Sequence, residues 1–319
     1  QMGIEILYGE EYQTKIWDWI KENGSEIAFA YLNRPHIAGK YVDFIRDNTN
    51  IKIIYYGHDL HFLREFREYE LTGDLKKKRE SDYWRSIELS MMYKAAVSYY
   101  PSQVEVDAIH RIDETIPVKA ITAYVYENFL ENLQKDFAKR EGLLFVGGFA
   151  HPPNADGVLW FAREIFPLIR QKLPHVVFYV VGSKVTEEIK ALDSQENGII
   201  VKGFVSEEEL SRLYAECRMV VVPLRYGAGV KGKVVEAIYN GAPIVTTSVG
   251  AEGIPGVEDV LRIADEPEDF ARQTAELYED TETLRRMCEK TQEYIRAHFS
   301  VDGAWKVIEE DFAWDGQQG

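Results

Sequence analysis

The stretch PLRYGAGVKGKVVEAIYNGAP, residues 223–243, decides how the rest of the chain is read. It follows a short apolar run ending at Val222, turns through Gly227 and Gly229, passes Lys231 and Lys233, and enters a helical pattern that carries Glu236. A strand, a glycine turn and a helix in that order leave backbone amides unpaired at the helix start, where the helix dipole adds partial positive charge. The lysines add full charge there, and a carboxylate one or two turns on can accept hydrogen bonds from ribose hydroxyls. The pattern fits a clamp for a nucleoside diphosphate. It fits equally a glycine turn before an ordinary helix with two solvated lysines, so the surrounding sequence has to choose.

Outward from this stretch, short β-branched or aromatic runs alternate with helical patterns, which predicts parallel sheets covered by helices. Strands are expected at 4–7, 27–32, 51–56, 95–99 and 118–122, then at 143–146, 176–181, 199–201, 219–222 and 244–247, the last followed by a glycine turn. Helical stretches such as 11–21 and 36–46 lie between them. Ser206 with Glu209 has capping-box spacing, and Asp265 with Glu268 around Pro267 repeats it. Loops beginning at Gly147, Gly182, Gly203 and Pro223 leave the same edge of one sheet, and each bears glycine, which lets backbone approach a ligand closely. That convergence favours the nucleotide site over the plain turn.

In the first part, GHDLHFLREFREYE (57–70) places His58 and Asp59 at a strand's carboxyl end. They read either as polar groups facing a cleft or as a loop histidine and a helix-capping aspartate. His61, Arg64 and Arg67 then share a helix face by spacing. The basic run 76–79 suits an anionic acceptor or a membrane surface, or a solvated helix start.

Bulk properties narrow the partners. A chain of 319 residues has room for two domains, and no linker marks their border. We expect an acceptor-side domain over 1–128, a nucleotide-binding domain over 129–303 and a C-terminal helix over 304–319 packing back on the first domain, with Trp305 and Trp314 packed on neighbours. A net charge of −16, from 37 Lys and Arg against 53 Asp and Glu, excludes a nucleic-acid backbone as partner. Against that acidity Arg225, Lys231 and Lys233 stand out. Cys217 and Cys288 have neither metal nor redox spacing and read as thiols of a reducing compartment. No apolar run of membrane-span length and no signal-peptide pattern occurs, so a cytoplasmic protein is expected.

Taken together, the motifs FVGGFAHPPNADGVLWF, FYVVGS and VKGFVSEEELSRLYAECRMVVVPLRYGAGVKGKVVEAIYNGAPIVTTSVGAEGI resemble glycosyltransferases of the GT-B fold, specifically family 4, which retain anomeric configuration. IKIIYYGHDLHFLREFR and AAVSYYPSQVE extend the likeness into the first part. The resemblance implies an α/β protein of two Rossmann-like domains with parallel sheets facing across a cleft. Its implied activity is transfer of a sugar from a nucleoside diphosphate sugar to a hydroxyl of a glycan or lipid-linked acceptor, with no metal or other cofactor. Carried over by position, Glu236 holds the ribose, and the Gly229, Val230, Lys231 and Gly232 backbone meets the diphosphate. Gly203, Phe204 and Val205 meet the base, Gly227 and Ala228 lie beside the donor sugar, and His58, Asp59 and Lys231 form the catalytic set.

The pattern departs from the family at Ala228, where many members carry a second glutamate, and at Gly148 and Asn154, where many carry a basic pair. Lys231, with Lys233 or Arg225, is expected to supply the diphosphate charge from another place. The first part is short and lacks the usual glycine-rich loop after 4–7, which fits either a trimmed subgroup of the family or, the reading we favour, a module of a larger multidomain chain. Work on a lipid-linked acceptor would bring it to the inner face of a membrane. A module that binds nucleotide sugar without transfer, and a nucleotide-sugar epimerase, remain the alternatives; donor base, sugar and acceptor stay open.

Overall fold

The computed structural model describes residues 4–131, 133 and 135–313; the expected packing of Trp314 and the end of the 304–319 segment lie outside the described residues. Each half of the chain builds one parallel sheet. The first half runs α1 (Glu10–Asn23), β1 (Phe29–Asn33), α2 (Pro35–Asn48), β2 (Lys52–Tyr56), α3 (His61–Thr72), α4 (Leu75–Lys94), β3 (Val97–Tyr100), α5 (Gln103–His110) and β4 (Val118–Ala120), with its four strands side by side in chain order. Strand β2 shows the two-residue period at work. Ile53 and Tyr55 pack into the core beneath α1, α2, α4 and α5, while Ile54 and Tyr56 face the other way, into a smaller core with Val97 and Tyr99. Both faces are apolar, as a buried parallel strand requires.

The second half runs β5 (Leu143–Val146), α6 (Pro152–Trp160), a π-helical turn at Phe161–Ile165 leading into α7 (Phe166–Lys172), β6 (Phe178–Val181), α8 (Glu187–Lys190), β7 (Ile199–Gly203), α9 (Glu207–Glu216) and β8 (Met219–Val222). It continues through α10 (Gly232–Tyr239), β9 (Ile244–Thr246), α11 (Ser248–Ala251), a 3₁₀ turn at Val257–Asp259, β10 (Leu261–Ile263), α12 (Pro267–Glu279), α13 (Thr281–His298) and α14 (Val301–Ile308). The six strands lie in the order β10-β9-β8-β5-β6-β7. The chain builds outward from β5 on one side, then crosses back and builds outward from β8 on the other. The loops after β5 and β8 therefore diverge, opening a crevice at the carboxyl edge where such sheets take ligands.

Several expectations are corrected. Residues 4–7 form no strand: Ile4 and Ile6 are 68% and 72% exposed, and no neighbouring strand accepts their hydrogen bonds. Ser206 does cap α9, accepting from the Glu209 amide at 3.2 Å. Asp265, by contrast, does not cap α12; Glu266 holds the cap position, and Asp265 accepts from the amide and hydroxyl of Ser248 at 2.7 and 2.9 Å. After β9 the chain enters α11 directly, capped by Thr247, in place of a glycine turn. The basic run opens α4, where Lys76 faces Glu80 at 3.6 Å, Lys78 faces Asp82 at 3.5 Å, and Lys77 is gripped by Glu65 at 2.7 Å and Glu68 at 3.2 Å. Neighbouring carboxylates cancel most of its charge.

The chain passes from the first sheet to the second once and then returns. Tyr126 donates its amide to the Phe299 carbonyl at 2.8 Å, so the outgoing and returning segments lie side by side. Val307, Ile308 and Phe312 then cover the Ile54–Tyr56 face of the first sheet, and Asp311 takes Lys119 at 2.6 Å and the Tyr99 hydroxyl. Trp305 does not join this contact and remains 56% exposed, because the last turn of α14 and the following Phe312 already fill the sheet face.

Candidate active site

Between the carboxyl edges of the two sheets lies a cavity of about 610 Å³. Its second-half wall is the loop after β8 and the start of α10. Gly229 has φ +76°, and a Cβ there would sit 3.3 Å from the Asp59 Cβ and 3.5 Å from Glu105 Oε1, so this glycine serves both the turn and the close approach of the first half. The amides of Gly229, Val230 and Lys231 donate to no protein acceptor among the described residues. The Gly232 amide differs: the Tyr124 hydroxyl engages it, and that oxygen would lie 2.6 Å from a Cβ at this position. Its expected role toward a diphosphate would require Tyr124 to move aside.

Lys231, only 8% exposed, donates to the Gly229 carbonyl, and burial lowers its pKa to about 8 against the opposing pull of Glu252 and Glu105. Lys233 donates to Asn154 Oδ1 at 2.6 Å and lies 5.7 Å from the centre of the Phe145 ring; burial, then the charge of Lys231, lowers it to about 8 as well. Neither makes an ion pair among the described residues. Desolvation works against the charge that both lysines carry below about pH 8, and a bound anion would offset that cost. Glu236 lines the same cavity, its carboxylate has no hydrogen-bond partner among the described residues, and burial raises its pKa.

The first-half wall follows β1 and β2. His58 has φ +67°, places Nε2 2.5 Å from Asn33 Oδ1 and packs edge-on against Tyr56. Burial, and then the nearby Arg34 charge, lower its pKa, so the ring is neutral at pH 7. Asp59 does not cap α3; it pairs with Arg64 at 2.5 Å. The cap is supplied instead by buried Glu88 of α4, which accepts from the His61 and Phe62 amides at 2.9 and 3.1 Å and from His61 Nδ1 at 3.0 Å. Burial alone would lower the His61 pKa, but the bond to Glu88 and the charges of Asp59 and Glu88 outweigh it, and the net shift is upward. Arg67 reaches past the cavity to the second half, donating to the Gly227 carbonyl at 2.7 Å and forking onto Glu252 at 2.8 and 2.7 Å.

The fold thus brings His58, Asp59, Ala228, Gly229, Val230, Lys231, Gly232, Lys233 and Glu236 to one cavity. Arg225 is not among them. Asp156 holds its guanidinium, with Nε 2.9 Å from Oδ2, over the Trp160 ring, in a separate depression shared with Thr247. Of the proposed sources of diphosphate charge, the two lysines face the cavity and Arg225 does not. Gly227 lies behind the wall, its carbonyl taken by Arg67. Gly203 ends the outermost strand β7, Phe204 and Val205 follow it, and none of the three lines the cavity; Phe204 is 80% exposed.

Sequence reasoning missed Arg34, His36, Tyr124 and His151, which all line the cavity. Burial, then Lys233 and Arg64, lower the His151 pKa to about 4. A histidine four residues past Gly147, at a carboxyl edge already suspected, was the available signal. Among the described residues no group of three or more His, Cys, Asp or Glu could hold a metal ion, and no helix is long and apolar enough to cross a membrane. Cys217 and Cys288 are free and buried, and burial pushes the Cys217 thiol up to about 12.

Two parallel α/β units whose carboxyl edges face across a cleft define the GT-B fold. Solved GT-B structures match it: Staphylococcus aureus TarM with a TM-score of 0.73 at 14% identity, over 93% of this chain and 57% of that one. Sucrose-phosphate synthase from Thermosynechococcus elongatus matches with a TM-score of 0.72 at 16% identity over 98% of this chain and 80% of that one. Anabaena Alr3699/HepE, solved with UDP-glucose, matches at 0.67 and 16% identity over 95% and 83%. Residues 140–280, from just before β5 to the end of α12, match the family model described as Glycosyl transferases group 1. An uncharacterized 44.6 kDa protein in the cps region of Klebsiella pneumoniae is 31% identical over 116 residues, which make up 35% of this chain and 30% of that protein. The chain therefore spans 30% of that relative's length and 57% of TarM's.

Proposed function

We propose that this chain is a glycosyltransferase that moves a hexose from a nucleoside diphosphate sugar to a hydroxyl of a glycan or lipid-linked acceptor, with retention, in the manner of family 4. The observation that carries this reading is the pair Lys231, buried, and Lys233, partly buried, at the start of α10, neither in an ion pair among the described residues, beside the unpartnered carboxylate of Glu236. Protonated, the lysines and the free amides of Gly229, Val230 and Lys231 stabilise the charge that collects on the diphosphate as the bond to the anomeric carbon breaks. Glu236 accepts from the ribose. The base extends along the carboxyl edge toward Gly203, Phe204 and Val205, where the exposed Phe204 ring offers a stacking face. His58, with Nε2 turned to Asn33, keeps Nδ1 as an acceptor for a hydroxyl near the oxocarbenium-like centre, with Asp59 beside it.

Because lysines supply the positive charge, transfer should need no metal, and rates should be the same with and without EDTA. The cps-region relative supports a place in polysaccharide biosynthesis, and we read the chain as cytoplasmic, working at the inner face of the membrane when its acceptor is lipid-linked. The test is incubation with a panel of nucleotide sugars, following binding by calorimetry and release of nucleoside diphosphate with and without glycan acceptors. Binding of one donor with acceptor-dependent release is expected; no binding by any donor sinks the reading. Binding without release would identify a module that only binds, and donor conversion without acceptor an epimerase.

A further inference from the structure

The first-half wall of the cavity carries, at its exposed rim, a guanidinium that no protein group answers, with an unpartnered imidazole beside it. Asp59 and Arg64 neutralise each other at 2.5 Å, and His61 is held by Glu88 at 3.0 Å. Arg34 and His36 differ: both line the cavity, and neither side chain has a hydrogen bond or ion pair among the described residues. In a chain of net charge −16, where most basic side chains around this cavity find an acid or a carbonyl, an unanswered guanidinium on a cavity wall is a recognition element in waiting.

The backbone supports the same assignment. Arg34 directly follows β1, donates its amide to the Tyr56 carbonyl at 3.0 Å, and has φ +63° with ψ 138°, a conformation nearly reserved for glycine. Such a conformation held by a long basic residue marks a place where the side chain, rather than the turn, is wanted. His58, at the end of the adjacent strand, is the other cavity-lining residue without glycine's freedom that has positive φ. Strand register pairs Asn33 with Tyr56, so Arg34 stands on the outer side of His58, while the lysines that meet the donor belong to the opposite wall. The donor diphosphate and ribose fill that opposite wall, which leaves Arg34 and His36 facing whatever enters beside the reacting carbon.

We propose that Arg34 and His36 form a subsite for an anionic group, phosphate or carboxylate, carried by the acceptor, so that the acceptor is a negatively charged sugar. This rests on the transfer reading of the same cavity. The guanidinium fork matches either anion, and loss of such a charge-assisted contact should weaken binding roughly ten- to hundredfold.

Glucose 6-phosphate, glucuronate and glucose, titrated by calorimetry into protein saturated with UDP, test it, the two anions separating phosphate from carboxylate. At least one anion should bind tenfold or more tighter than glucose, and Arg34→Gly, which suits the backbone and should leave the melting temperature unchanged or higher, should erase the preference. Three sugars binding alike, a preference that survives Arg34→Gly, or a tenfold loss of UDP affinity in that variant would each overturn it, the last by assigning Arg34 to the donor. The titrations repeated on nucleotide-free protein read the Arg34 dependence whether or not UDP binds, so a failure of the donor reading is recorded separately.

Discussion

Lys231 and Lys233 bring positive charge to the proposed donor site in surroundings that resist charge, and pH should expose this. Burial lowers both to about 8 from the ordinary 10.5, so the unfolded chain binds more protons between those values and stability rises with pH across that window. Below about pH 8 the cost of keeping them charged is present in full. Binding runs the other way, because an anion favours the protonated form: affinity for a nucleoside diphosphate should fall about tenfold per lysine from pH 7 to pH 9, with proton uptake on binding near pH 8. Calorimetry at several pH values in buffers of different ionisation enthalpy measures both, and a flat profile would remove the lysines from the diphosphate. Glu236→Ala should weaken the nucleotide by about tenfold through loss of the ribose hydrogen bonds, and unchanged affinity would remove Glu236 from the ribose. These three residues were legible because one loop and one helix fix their spacing. Arg225 belongs to the same loop, yet Asp156, 69 positions earlier, takes it away, and no local pattern carries that through-space fact.

At the scale of elements, strands announce themselves when both faces are apolar, as in β2 and β8, and mislead when a partner is missing, as at 4–7. The three-residue β10 is too short to carry a period at all. Helix starts are readable when the cap is local, as with Ser206, and hidden when it is not. Asp59 sits where a cap belongs, but the acceptor for the His61 and Phe62 amides is Glu88, up to 27 residues further on, reached because α4 folds back along α3. Glu88 is fully buried, so Glu88→Ala would leave two amides and the His61 ring without an acceptor inside the protein, at a cost of about 3–5 kcal/mol. Glu88→Gln keeps one acceptor oxygen and should cost less. Urea unfolding of the two variants measures the difference; equal stability of both with the parent would mean that water replaces the carboxylate and that α3 needs no distant cap.

Across the whole molecule, the alternation of strands and helices made the two-sheet plan readable, and the glycine-bearing loops at one sheet edge pointed to a crevice there, but the β7-to-β8 crossing that opens it and the way the halves meet were not readable. That contact joins residues far apart in sequence: Arg67 of α3 forks onto Glu252, 185 positions later, and its remaining donor strength goes to the Gly227 carbonyl on the donor loop itself. Beside it Gly253 runs so close to Ser102 that a Cβ would fall 2.5 Å from the hydroxyl oxygen, and Gly229 meets Asp59 and Glu105. Around the cavity the halves meet at one charged fork, at Tyr124 against Gly232, and at two backbone approaches where a Cβ would crowd its neighbour. A partly buried bidentate pair is worth more than a surface ion pair, yet its removal should not unfold either half, because each has its own core. Arg67→Ala should then loosen closure without unfolding: the radius of gyration in small-angle scattering grows, turnover falls roughly tenfold as the halves spend less time in register, and nucleotide affinity, which the proposed donor site would draw from the second half, changes by less than about threefold. Arg67→Lys keeps the charge but not the fork and should fall between. If the alanine variant scatters and turns over like the parent, closure rests on the close approaches at Gly229, Gly232 and Gly253, and Gly253→Ala, which would force Ser102 away, becomes the substitution that opens the cleft.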